Sequence, residues 1–228
     1  MQEFQMSNLE RLYLKRKIAY QRRKRVFFIT LVLITFITLL IFASSLVGSN
    51  GVCLSVFSKE INLKTLEVPQ YVDVQLINKG SSRTGVKMNE INNIVVHYVG
   101  NPNTSAQNNR DYFNKEDTNV CSHFVIGLDG EIIQCIPLDE KSNASNNRNL
   151  DTISIEVCHP DDTGKFNEDT YDSLVKLTAW LCDNSGLDED DVIRHYDITG
   201  KVCPKYFVEN ESAWYFFKKD IQLKLDDY

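Results

Sequence analysis

Two periodicities divide the chain after residue 70 into strands and helices. Ile94-Val95-Val96-His97-Tyr98 is a β-branched run that predicts a buried strand. Strand alternation puts Val95 and His97 on one face and Ile94 and Val96 on the other. Ile153-Ser154-Ile155-Glu156-Val157-Cys158 alternates in the same way and separates its aliphatics from Ser154, Glu156 and Cys158. Phe124–Leu128 and Glu131–Ile136 flank Asp129-Gly130, the pattern of a hairpin with a type I′ turn. Val72–Ile77 reads as a strand or extended lead-in, and Val192–His195 as a short strand that delivers His195 at its end.

Helical spacing appears in three places. Thr104 and Gln107 form a capping-box pattern ahead of a helix over about 105–114. Asn167-Glu168 opens a second helix, whose core stripe is Tyr171, Leu174, Val175, Thr178, Leu181 and Cys182, and Gly186 ends it. A last helix over Glu211–Leu225 buries Trp214, Phe217, Ile221 and Leu225. Lys79–Gly85 and Leu138–Asn149 are turn-rich or polar loops, and no internal repeat is visible. Strands alternating with helices predict an α/β layer domain over 71–228.

A different pattern governs the N-terminus. Val26–Val47 is a run of 22 residues without a charge. As a helix it would extend roughly 33 Å, enough to cross a bilayer core. Arg22-Arg23-Lys24-Arg25 stands at its leading edge, which predicts a cytoplasmic tail at 1–25 and one transmembrane signal anchor at 26–47. A spacer at 48–70 would then lift the domain off the outer face of the membrane. The rival, a cleaved signal peptide, calls for a shorter apolar core than this one. Residues 1–25 carry a net +6 and the whole chain −6, so the part after the apolar run carries −12. That acidity argues against nucleic acid as a partner, and the basic tail suits topology and anionic lipid.

The candidate chemistry gathers in Arg194-His195-Tyr196-Asp197-Ile198-Thr199-Gly200-Lys201-Val202-Cys203-Pro204. Thiolate and neutral imidazole are preferred zinc ligands, and a zinc with an open position is a hydrolytic catalyst. A turn at Gly200 would bring Cys203 back toward His195, and Pro204 would stop regular structure from running on. A third ligand has to come from His97, His123 or His159. A carboxylate within a β-branched strand makes Glu156 either a residue of a solvated edge or a base whose pKa burial has raised. Six cysteines are too few for a disulfide scaffold, and a metal-bound Cys203 leaves an odd number; Cys182 reads as a buried thiol.

Asn93–Tyr98, Ser122–Gly130, Ser154–Val157 and His195-x7-Cys203 with Lys201, in this order, resemble the zinc-dependent N-acetylmuramoyl-L-alanine amidases of type 2. That group includes phage lysozyme-like amidases and peptidoglycan recognition proteins. The resemblance runs from about Val72 to Asp220, and Gly130–Pro137 and Thr163–Asn167 look like cell-wall and prophage amidases of Gram-positive bacteria. It implies a mixed central β-sheet flanked by helices. It puts His97, His195 and Cys203 on the metal-ligand positions, Glu156 on the general-base glutamate and Lys201 on the oxyanion lysine. One branch has a catalytic tyrosine where this chain has Ser122, which implies reliance on Glu156. His123 and His159 are expected to be structural or to stand behind the ligands. The expected substrate is peptidoglycan, cut between N-acetylmuramic acid and L-alanine, by a monomeric domain facing the cell wall. The alternatives are a non-catalytic peptidoglycan-binding module and a metal-free cysteine peptidase using Cys203.

Overall fold

The computed structural model describes residues 66–88 and 90–228. The predicted tail, the apolar run and most of the spacer lie outside these residues. Among the described residues, no helix is long and apolar enough to cross a membrane.

Six strands form one mixed sheet: β1 (Val72–Val74), β2 (Asn93–Tyr98), β3 (Phe124–Ile126), β4 (Ile132–Gln134), β5 (Thr152–Val157) and β6 (Val192–Arg194). Their spatial order is β1-β4-β3-β5-β2-β6. The β3–β4 pair is antiparallel, and every other neighbouring pair is parallel. The helices are α1 (Ala106–Phe113), α2 (Glu168–Ser185), α3 (His195–Thr199), α4 (Lys205–Glu209) and α5 (Glu211–Leu225), with a 3-10 turn at Asn146–Arg148. The expected sheet flanked by helices is what the chain forms.

The alternation read from the sequence sorts the two faces. Ile94, Val96, Phe124, Ile126, Ile153, Ile155 and Val157 meet Leu174, Leu177 and Leu181 of α2 and Trp214, Phe217 and Ile221 of α5 in the larger core. Leu66 and Val68, from the stretch expected to be spacer, also pack against it. Val125, Ile133, Cys135 and Cys158 face the other way and meet Ala106 and Phe113 of α1. Both faces are therefore covered, which is why the central strands are buried along almost their whole length.

Local details correct three expectations. The α1 capping box is Ser105 with Asn108, one residue beyond the predicted pair: Ser105 Oγ accepts from Asn108 N and Asn108 Oδ1 accepts from Ser105 N. Thr104 Oγ1 instead donates to Asn101 O. The hairpin turn spans Gly127–Gly130, where Gly130 N donates to Gly127 O and Gly127 N to Glu131 O. Only Gly130 has a positive φ there (+76°), so the turn is not type I′, which needs two such residues. The reason is tertiary: Thr170 and Asn167 at the start of α2 donate to Gly127 O and Leu128 O, and Ser173 donates to Gly130 O. A Cβ at Gly130 would come within 2.9 Å of Asp169 O. Finally, Pro204 does not end regular structure; it is the N-cap of α4.

Candidate metal centre

β2 and β5 are adjacent and parallel, with His97 directly opposite Glu156. β6 pairs with the other edge of β2. Chain direction therefore brings the C-terminal ends of three strands together, where loops are free to build a site. His97 stands near the end of β2. His195 is the first residue of α3 rather than the last of β6. Gly200, at φ +76°, caps α3 and lets the chain reverse. Cys203 returns beside the helix start, its carbonyl accepting from Tyr196 N at 2.9 Å. The three ligand atoms of His97, His195 and Cys203 lie within 4.8 Å of one another, and all three residues are buried.

The histidine contacts fix which ring nitrogen faces inward. His195 Nε2 is 2.9 Å from Asn146 Oδ1. An amide oxygen only accepts, so the proton belongs on Nε2 and the lone pair on Nδ1. That Nδ1 is buried and has no hydrogen-bond partner. His97 Nδ1 faces Cys203 Sγ at 3.9 Å, while its Nε2 approaches Ser145 Oγ at 3.5 Å. The imidazoles lie 4.6 Å apart, centroid to centroid.

Charge states suit a cation. Burial holds the His97 pKa well below the ordinary value, with His195 and Lys201 adding to the effect. Burial, then Lys201, lowers that of His195. Both rings are thus neutral, as metal ligands must be. Burial pushes the Cys203 thiol up to about 12; a bound cation reverses that by deprotonating a coordinating thiol. Two neutral imidazoles, one of them with a buried nitrogen that has no hydrogen-bond partner, and a thiol fit zinc.

Glu156 and Lys201 complete the cleft. β5 lies between β3 and β2, which removes the solvated-edge reading of Glu156. Burial raises its pKa to about 8, with Lys201 opposing. Its Oε2 is buried without a partner. Lys201 is exposed and lines the same cleft, which encloses about 1630 Å³ and also touches His97, Glu156, His195 and the 143–149 loop. Ser122 is fully buried and donates to Ser154 O, so it has no access to the cleft.

His123 is a strut. Its Nδ1 accepts from Ser154 N at 3.0 Å, and its Nε2 bonds Glu140 O at 2.8 Å. His159 stacks on Tyr98 at 5.1 Å and bonds Asp161 O. Neither belongs to the ligand cluster. Sequence reasoning missed Ser145 and Asn146 as partners of the two imidazoles; the Asn- and Ser-rich character of their loop was the only available signal. The five described cysteines are all free and buried.

The chain has relatives among known proteins. A family profile for N-acetylmuramoyl-L-alanine amidases (Amidase_2) matches residues 87–206. N-acetylmuramoyl-L-alanine amidase BlyA of Bacillus subtilis (strain 168) is 32% identical over 165 residues, covering 63% of this chain and 44% of that protein. N-acetylmuramoyl-L-alanine amidase CwlL of Bacillus licheniformis is 32% identical over 158 residues, covering 61% and 43%. The chain thus spans less than half the length of these relatives. The solved catalytic domain of XlyA superposes with a TM-score of 0.58 at 25% identity, covering 66% of this chain and 98% of that one. Because the matched residues amount to more than half of the chain and include all five candidate site residues, the chain belongs to the Amidase_2 family of N-acetylmuramoyl-L-alanine amidases.

Proposed function

We propose that this domain hydrolyses the amide bond between the lactyl group of N-acetylmuramic acid and L-alanine of the peptidoglycan stem peptide, with zinc held by His97, His195 and Cys203. One observation carries the reading: the three ligand atoms converge within 4.8 Å beside a cleft lined by His97, His195 and the half-buried Glu156. When bound, zinc supplies Lewis-acid activation of water and of the amide carbonyl near neutral pH.

The chain's own residues handle protons and charge. Glu156 accepts the proton of the attacking water and returns it to the leaving nitrogen. Burial raises the Glu156 pKa to about 8 in the metal-free domain; with a cation bound nearby the carboxylate, the form that accepts a proton, would be favoured. Lys201 brings a positive charge to the cleft, where it stabilises the charge developing on the carbonyl oxygen. The cleft exceeds the volume of an ordinary small-molecule pocket, in keeping with a segment of polymer.

The cysteine-peptidase alternative is opposed by the same geometry. Burial raises the Cys203 thiol and lowers the His97 imidazole, both of which disfavour a thiolate–imidazolium pair. The uncharged run Val26–Val47 behind Arg22–Arg25 supports an uncleaved single-pass anchor, with the domain facing the cell wall. Protease added outside intact cells is expected to remove the domain; full protection would refute that orientation.

The test of the activity is mass spectrometry of peptidoglycan digested by the purified protein, with bound metal measured on the same sample. The expected products are stem peptides with a free L-alanine amine and glycan with a free lactyl carboxylate. Intact muropeptides from zinc-loaded protein would leave a non-catalytic wall-binding module instead.

A further inference from the structure

We infer that Asn146 is a positioning residue that fixes the tautomer and the aim of His195, so that its Nδ1 lone pair is presented to the metal. The inference rests on the zinc reading above and extends it to a residue outside the ligand set. Asn146 and His195 come from different elements, 49 positions apart, yet the amide oxygen lies 2.9 Å from Nε2. The opposite ring nitrogen is buried with no partner. An imidazole carries one proton when neutral, so an acceptor on Nε2 determines where the lone pair goes. Second-sphere acceptors of this kind hold ligand orientation and raise ligand basicity.

The loop is built to hold that oxygen in place. Asn146 has φ +54° and, with Asn103, is one of two non-glycine residues in the left-handed region among the described residues. Asparagine tolerates this conformation better than most side chains. Asn149 Oδ1 accepts from Ala144 N and from Ser145 N, closing the turn on itself. Arg148 ties the turn to Asp151 and to Asn93 at the start of β2. The left-handed residue is therefore held from both sides, and its side chain points at α3. Ser145, next in the chain, approaches Nε2 of His97 at 3.5 Å, so one turn backs both histidines.

The test uses the full chain purified in detergent, with zinc affinity measured by competition with a chromophoric chelator. Asn146→Gly keeps the positive φ and removes only the side chain. It is expected to weaken zinc binding by about 10- to 100-fold with the fold intact by circular dichroism. Asn146→Asp supplies a charged acceptor in the same place and is expected to bind no more weakly than wild type. Long-range ¹⁵N correlation spectra of His195 are expected to show the Nε2–H tautomer in wild type and a mixture in Asn146→Gly. Wild-type zinc affinity in Asn146→Gly, or equal losses in Gly and Asp variants, would overturn the inference and leave the metal site standing. A wild-type chain that takes up no zinc would overturn both.

Discussion

Replacing Glu156 with glutamine is expected to separate stability from catalysis. In the metal-free protein, burial raises this carboxyl from an ordinary 4.5 to about 8. Between those two values the folded chain holds a proton that the unfolded chain has released. Stability therefore falls as pH rises through the window, by about 1.4 kcal/mol per unit. Over the whole window this amounts to about 5 kcal/mol for a fully enclosed group. One side of Glu156 faces the cleft, and water there reduces the figure to about 3 kcal/mol. Glutamine keeps the shape and cannot ionise, so the variant gains this amount near pH 8 and nothing near pH 4.5. Urea unfolding of the chelated protein across that range is the assay. The midpoint of Glu156→Gln should exceed wild type by roughly 1.5 M at the alkaline end. The same variant should lose about 10²- to 10⁴-fold in amide hydrolysis, having no proton to exchange. Parallel pH profiles of stability for the two proteins would refute the placement of an ionisable, desolvated carboxyl here.

Three further outcomes follow from the same geometry. Cys203→Ala removes one of the three proposed ligands and should emerge free of stoichiometric zinc by metal analysis, and chelation of wild type should abolish hydrolysis until zinc is restored. Lys201→Ala should lower kcat by about 10²- to 10³-fold with little change in KM, as steady-state kinetics on a muramyl peptide would show; an unchanged kcat removes its oxyanion role. Phe217 is fully buried and packs against Tyr171, Phe207 and Trp214, so Phe217→Ala should cost about 3–5 kcal/mol in chemical denaturation, with zinc affinity unchanged in the folded fraction.

What was legible in the sequence depended on range. Periodicity placed β2 and β5 and the two long helices to within a residue, because each element buries one face and the spacing of apolar side chains records it. The capping box slipped by one position because Asn108 does the work of a glutamine. The hairpin turn changed type because α2 bonds to its carbonyls, a contact no local pattern announces.

The site divides along the same line. Residue chemistry alone marked His195, Lys201 and Cys203 as a cluster, since a glycine turn joins them within nine positions. It could not choose a third ligand among His97, His123 and His159; only the order of strands does, by placing β2 between β5 and β6. That order also turned Glu156 from a plausible edge residue into a buried acid, and aimed Asn146 at an imidazole 49 positions away. Side-chain periodicity reports which face an element buries, but pairing between distant strands is settled by packing the whole sheet, and the candidate metal ligands meet only after that packing is complete.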